Sequence, residues 1–157
     1  MFGRILIAFD GSPISAQALE TGIELAKSLK STVGLVTVVN PHEAISNVGG
    51  IRPAELVAEM RQEAKLKLRT AGARVDAEEP PYEFIREGAP AREILATAQE
   101  WGADLIVVGS PEHSLLERLL FGDTSDSVVH SSRYPVLVVR PTTPGHILGP
   151  RTSPNDI

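Results

Sequence analysis

This sequence predicts an α/β protein: one domain on an open parallel sheet of five strands, with helices on both faces. Three observations lead there. The apolar residues run continuously over short stretches instead of alternating, as in strands buried on both faces. Between them lie helical segments opened by proline and closed by glycine. The chain has 157 residues, 42% of them hydrophobic, which is enough for one two-faced core and too little for a second domain.

Residues 4–9, Arg-Ile-Leu-Ile-Ala-Phe, form the first strand. Ser12 followed by Pro13 starts a helix, with the hydroxyl as N-cap and proline at the first helical position, and Leu19, Ile23 and Ala26 recur on one face. Val33 to Val39 is the second strand. A loop with Pro41, Gly49 and Gly50 leads to Pro53, from which Leu56, Met60, Ala64 and Leu68 step at helical spacing until Gly72. Tyr82 to Arg86 is a short third strand. Pro90 opens a helix carrying Ile94, Leu95, Ala98 and Trp101, the single tryptophan, placed to pack helix on sheet; Gly102 ends it. Leu105 to Val108 is the fourth strand, residues 125–131 are helical, and Pro135 to Arg140 is the fifth strand. From Pro141 onward four prolines and two glycines share seventeen residues, so 141–157 reads as a flexible tail behind a domain of residues 1–140. No internal repeat is present.

Strands and helices alternating at these lengths imply right-handed crossovers and a ligand crevice at the carboxyl ends of the strands. Asp10-Gly11-Ser12, Val38 to Asn40 and Gly109-Ser110 all fall there. A glycine at a strand end beside a helix start suits a phosphate cradle, yet Glu112 and Asp123 load the same stretch with negative charge.

Several function classes are disfavoured. A net charge of −5 and the absence of a basic run argue against nucleic-acid binding. No apolar stretch approaches the length of a membrane helix and Met1-Phe2-Gly3-Arg4 leads straight into a strand, so the expected location is cytoplasmic. With no cysteine, thiolate chemistry and disulfides drop out. Neither a His-x-x-x-His pair nor a Gly-x-Ser-x-Gly elbow appears, so no catalytic residue and no metal ligand is assigned, and the chain is read as a non-enzyme.

Four separated segments in order, Ile5-Leu-Ile-Ala-Phe-Asp-Gly-Ser12, Gly88-Ala-Pro-Ala-Arg-Glu-Ile-Leu95, Ala103-Asp-Leu-Ile-Val-Val-Gly-Ser110 and Tyr134-Pro-Val-Leu-Val-Val-Arg140, resemble the universal stress protein family. The resemblance spans residues 4–140. It implies a Rossmann-like sheet in the order 3-2-1-4-5, a role in stress response exerted through protein partners, and a homodimer paired along the last strand, Val136 to Val139. The nucleotide-binding branch of that family carries G-x-x-G, nine residues, then G and Ser or Thr. Here Gly109 and Gly122 stand at the outer positions, but the middle glycine is Glu112 and the Ser/Thr is Asp123. By position, the resemblance implies adenine and ribose contacts at Ala8, Phe9, Asp10 and Val38, and phosphate contacts at Gly109, Ser110, Gly122, Thr124 and Ser125.

Each residue also has a plainer role. Asp10 either accepts from a ribose hydroxyl or bonds the N–H groups of its own turn; Ser12 caps the first helix. Asp123 is a good N-cap for the helix that follows. Beside a phosphate about 4 Å away it would repel by roughly 1 to 4 kcal/mol, or about ten- to a thousandfold in affinity, unless Mg²⁺ bridged the two. Glu112 in place of glycine and Pro111 without an N–H both weaken a phosphate nest. His113 and His130 are left unassigned, and Leu115, Leu116, Leu119, Leu120 and Phe121 read as packing residues. The expected function is therefore a dimeric stress-response module whose adenine-nucleotide site is degenerate and whose ATP binding is weak or absent, with no cofactor required. The alternative is a Mg²⁺-dependent ATP-binding switch with slow or no hydrolysis. A receiver-like domain fits poorly, because Arg86-Glu87-Gly88 ends the third strand where an acceptor aspartate would stand.

Overall fold

The computed structural model describes residues 1–42, 53–110 and 124–141 of the chain. The elements run β1 (Arg4–Ala8), α1 (Pro13–Leu29), β2 (Thr32–Val39), α2 (Pro53–Gly72), β3 (Tyr82–Glu87), α3 (Pro90–Trp101), β4 (Leu105–Gly109), α4 (Thr124–Ser131) and β5 (Val136–Val139). All neighbouring strands are parallel, in the order β3-β2-β1-β4-β5. The readings that fall on residues 43–52, on Pro111, Glu112, His113, the Leu115 to Phe121 stretch, Gly122 and Asp123, and on the tail from residue 142 lie outside the described residues.

β1 is the centre of the molecule because its apolar run is continuous. Ile5, Leu6 and Ile7 are fully buried, with Ile5 and Ile7 facing one layer and Leu6 the other. Burial of each such side chain contributes roughly 1.5–3 kcal/mol. On the first face α1 and α2 bring Ala18, Leu19, Ala26, Leu68 and Ala71; on the second, Ile94 and Ala98 of α3 and Val128 of α4 meet Leu6, Val36, Ile106 and Val108. Trp101 joins this second layer, edge-on to Phe84 with ring centroids 5.9 Å apart and tilted against Tyr82 at 5.6 Å.

The helix boundaries follow from the expected caps. Ser12 is extended at φ −67°, ψ 156° and its hydroxyl accepts from the Ser15 N–H at 3.3 Å, ahead of Pro13. Gly102, at φ 72°, closes α3 with its N–H turned to the Ala98 and Gln99 carbonyls. Lys30 closes α1 in the same left-handed region, at φ 56°. At the amino end of the sheet Asp104 accepts from the Gly3 and Arg4 N–H groups at 2.9 and 3.0 Å, tying the entry of β1 to that of β4.

The two edges of the sheet differ in character. β3 carries Glu83, Arg86 and Glu87, with Arg86 paired to Glu100 and Arg61 to Glu87 at 2.8 Å. β5 is Val-Leu-Val-Val, half-buried throughout and without a charge. A charged edge discourages strand addition; an apolar one does not.

Candidate functional site

β1 stops short of its neighbours. It pairs with β2 only as far as Ala8 against Val36, whereas β2 continues through Thr37, Val38 and Val39 paired to β3. On the other side β4 runs on to Gly109, which pairs with Val139 of β5. The chain leaves β1 toward β2 and leaves β4 toward β5, so the strand order reverses between β1 and β4, where open α/β sheets form their ligand crevice. Asp10-Gly11-Ser12 stands on one side of this switch point and Gly109-Ser110 on the other.

Phe9, expected in the first strand, lies one residue beyond it. Its N–H still bonds the Val36 carbonyl at 2.9 Å, but its own carbonyl accepts from the Thr37 hydroxyl at 2.5 Å. Asp10 follows, and its carboxylate accepts from the Ser12 N–H at 2.8 Å, while the Ser15 hydroxyl lies 3.4 Å from the Asp10 N–H. Gly11 makes this turn possible at φ +86°, where a side chain would be strained. Burial within the turn pushes the Asp10 carboxyl up, but hydrogen bonds from the Ser12 hydroxyl and N–H, and from Ser15, outweigh it and hold the group below its ordinary value. The residue as a whole is nonetheless exposed, so a charged acceptor is presented at the crevice. Of the two roles foreseen for Asp10, the turn-bonding one is filled here.

The phosphate-side positions divide by accessibility. Gly109 is closed against α1: a Cβ there would stand 2.8 Å from the Ile14 carbonyl oxygen and 3.0 Å from its carbon. Its lack of a side chain therefore serves the seating of the first turn of α1 on β4, whatever occupies the crevice. The Ser110 N–H is spent on the Val139 carbonyl at 2.8 Å, and the residue is 1% exposed. Ser125 is buried to the same degree, beside Val128 on the inner face of α4, while Thr124 at the helix start is exposed. Ala8, Phe9 and Val38 are half-buried at the ends of β1 and β2. His130 bonds the Asp126 carbonyl within its own helix at 2.9 Å. Among the described residues no three His, Asp or Glu side chains converge as a metal site.

Two contributors went unforeseen. Thr37 was signalled only by being a polar residue in an apolar strand. Lys67 of α2 lays its side chain against Gly11, with Cδ and Cε 3.1 Å from where a Cβ would stand, and no local pattern marks it.

The sequence model of the universal stress protein family matches residues 1–140. The chain belongs to the universal stress protein family. It is 36% identical to the universal stress protein YxiE of Bacillus subtilis (strain 168), over 89% of this chain and 100% of that protein. It is 33% identical to the universal stress protein MJ0531 of Methanocaldococcus jannaschii, over 89% of this chain and 83% of that one. Among solved structures, that of the hypothetical protein MJ0577 superposes with a TM-score of 0.74 at 28% identity, covering 91% of this chain and 99% of that chain. The family sheet order foreseen from the sequence is the order observed.

Proposed function

We propose that this universal stress protein is a dimeric, non-enzymatic stress-response module of the cytoplasm, acting through protein partners, with an adenine-nucleotide site that keeps its nucleoside end and has lost strength at its phosphate end. The observation that carries this reading is the division of the crevice. Asp10 is exposed and charged at the end of β1, beside the half-buried Phe9 and Val38, and suits a ribose hydroxyl and a base edge. Across the switch point the Ser110 N–H is engaged and both Ser110 and Ser125 are buried, so that of the three hydroxyl residues expected on the phosphate side Thr124 alone is exposed. Glu112 and Asp123 then add two carboxylates in the stretch where phosphates would lie.

Isothermal titration with AMP and with ATP, each with and without Mg²⁺, tests the reading. AMP is expected to bind at least as tightly as ATP when Mg²⁺ is absent, because each added phosphate meets carboxylate charge. ATP with Mg²⁺ binding tighter than about 10 μM, roughly 7 kcal/mol, would instead favour the ATP-binding switch. In that switch Asp123 and phosphate oxygens would hold the cation, which supplies charge neutralisation.

The dimer part of the proposal rests on the contrast between edges. β5 offers an uncharged Val136 to Val139 backbone, whereas β3 is guarded by Glu83, Arg86 and Glu87. Light scattering at micromolar concentration is expected to return twice the 16.8 kDa chain mass. A purely monomeric solution would refute pairing along β5.

A further inference from the structure

We propose that Lys67 is a positioning residue for the crevice: its aliphatic stem, laid across Gly11 from α2, holds the Asp10 turn in its ligand-ready geometry. The proposal rests on the nucleoside-site reading above for its consequence in binding, and on the following contacts for its mechanics.

Hydrogen bonds fix the Asp10 and Ser12 sides of the turn, and between them stands a glycine. Gly11 has no side chain to anchor it, and its φ of +86° excludes most residues that could supply one. The space a side chain would occupy is filled from elsewhere in the sequence, by Lys67 Cδ and Cε at 3.1 Å and Cγ at 3.7 Å from the Cβ position. Helical side chains lean toward the N-terminus of their own helix. α2 follows β2 and returns to start the parallel β3, so it descends from the carboxyl end of the sheet, and this lean carries the Lys67 stem up toward the crevice.

The arm is held at its far end as well. Lys67 Nζ lies 2.7 Å from Glu63 Oε1, one turn nearer the helix start, in the Glu-before-Lys order that favours such pairs. The Glu63 hydrogen bond and charge attraction to Lys67 hold that carboxyl below its ordinary value. Glu63 is largely exposed, so the pair orients the head of the lysine more than it stabilises the fold. The methylenes do the packing: Lys67 is half-buried, between the buried Ala64 and Leu68, with its stem against Gly11 and its head on Glu63. The lysine head is engaged with Glu63 while the stem carbons meet Gly11, so the stem, acting by contact, is the part that matters.

Lys67→Met, which keeps the stem and drops the charge, and Lys67→Ala, which drops both, separate the alternatives in the full-length protein. Two measurements are made on each. The first is amide hydrogen exchange at Ser12, whose N–H donates to Asp10, with Ile7 in the core as an internal reference. Exchange at Ser12 is expected to rise at least about fivefold in Lys67→Ala and to stay within twofold of wild type in Lys67→Met, with Ile7 unchanged in both. The second is AMP affinity, expected to fall about five- to tenfold in Lys67→Ala and to be restored in Lys67→Met. Unchanged Ser12 exchange in Lys67→Ala overturns the proposal. So does a Lys67→Met variant as impaired as Lys67→Ala, which would assign the effect to the ammonium. If the wild type binds no AMP, the nucleoside reading fails, and the exchange measurement still decides the role of Lys67.

Discussion

Replacing Gly109 by valine is expected to lower stability by about 3 kcal/mol even in the absence of nucleotide. The new Cβ would stand 2.8 Å from the Ile14 carbonyl oxygen and 3.0 Å from its carbonyl carbon, and both are backbone atoms of a helix. Neither can swing aside as the end of a flexible side chain could. α1 would have to lift from β4, taking with it the Ser12 cap and the Ile14 turn that follow Asp10. Urea unfolding of the wild type and the variant, each with and without saturating AMP, measures this. A loss confined to the nucleotide-bound protein would mean that the glycine serves the ligand and that its packing role is secondary. The result bears on how the family signature is interpreted, because one of its glycines here has a sufficient reason to exist in the empty fold.

Asp10→Ala is expected to weaken AMP binding about thirtyfold, the roughly 2 kcal/mol typical of a hydrogen bond to a charged group. Titration followed by NMR suits the weak affinities involved. The same carboxylate gives a pH signature. Because the folded protein holds Asp10 below its unfolded value, the group favours the folded state wherever the unfolded chain is already ionised, and that contribution is lost as pH falls through the folded pKa. The stability difference between wild type and Asp10→Asn is therefore expected to be constant above about pH 5 and to shrink below about pH 4. A difference that grows on acidification would contradict the hydrogen-bonding pattern of the turn.

Much of this architecture can be read from local sequence because each element carries its own signal. The uninterrupted Ile5-Leu6-Ile7 needs two apolar faces, Pro13 and Pro90 fit the first turn of a helix and little else, and Gly102 takes the left-handed position that ends α3. Phe9 reads as strand in the sequence because it is apolar and contiguous. It falls just outside because its carbonyl bonds the side chain of Thr37 on the neighbouring strand, a partner 28 residues away. The site was less legible for the same reason. Position within a motif singles out Ser110 and Ser125 as candidates but says nothing of their burial, which depends on how α4 and β5 pack. Lys67 reaches Gly11 across more than fifty residues of sequence, and its own neighbourhood, Lys-Leu-Lys-Leu, reads only as an amphipathic helix.

The central strand of the sheet is also the one from which the Asp10 turn hangs. Ile5, Leu6 and Ile7 are locked between strands on both sides and helical layers above and below, so the floor under Asp10 belongs to the part of the fold that opens last. A ligand of the proposed kind would find its first contact already assembled and spend no ordering entropy on it. In that reading, selectivity among ligands falls to the other side of the switch point, where Thr124 opens α4. A lineage could change what is bound by substitutions there alone, leaving the keystone strand untouched.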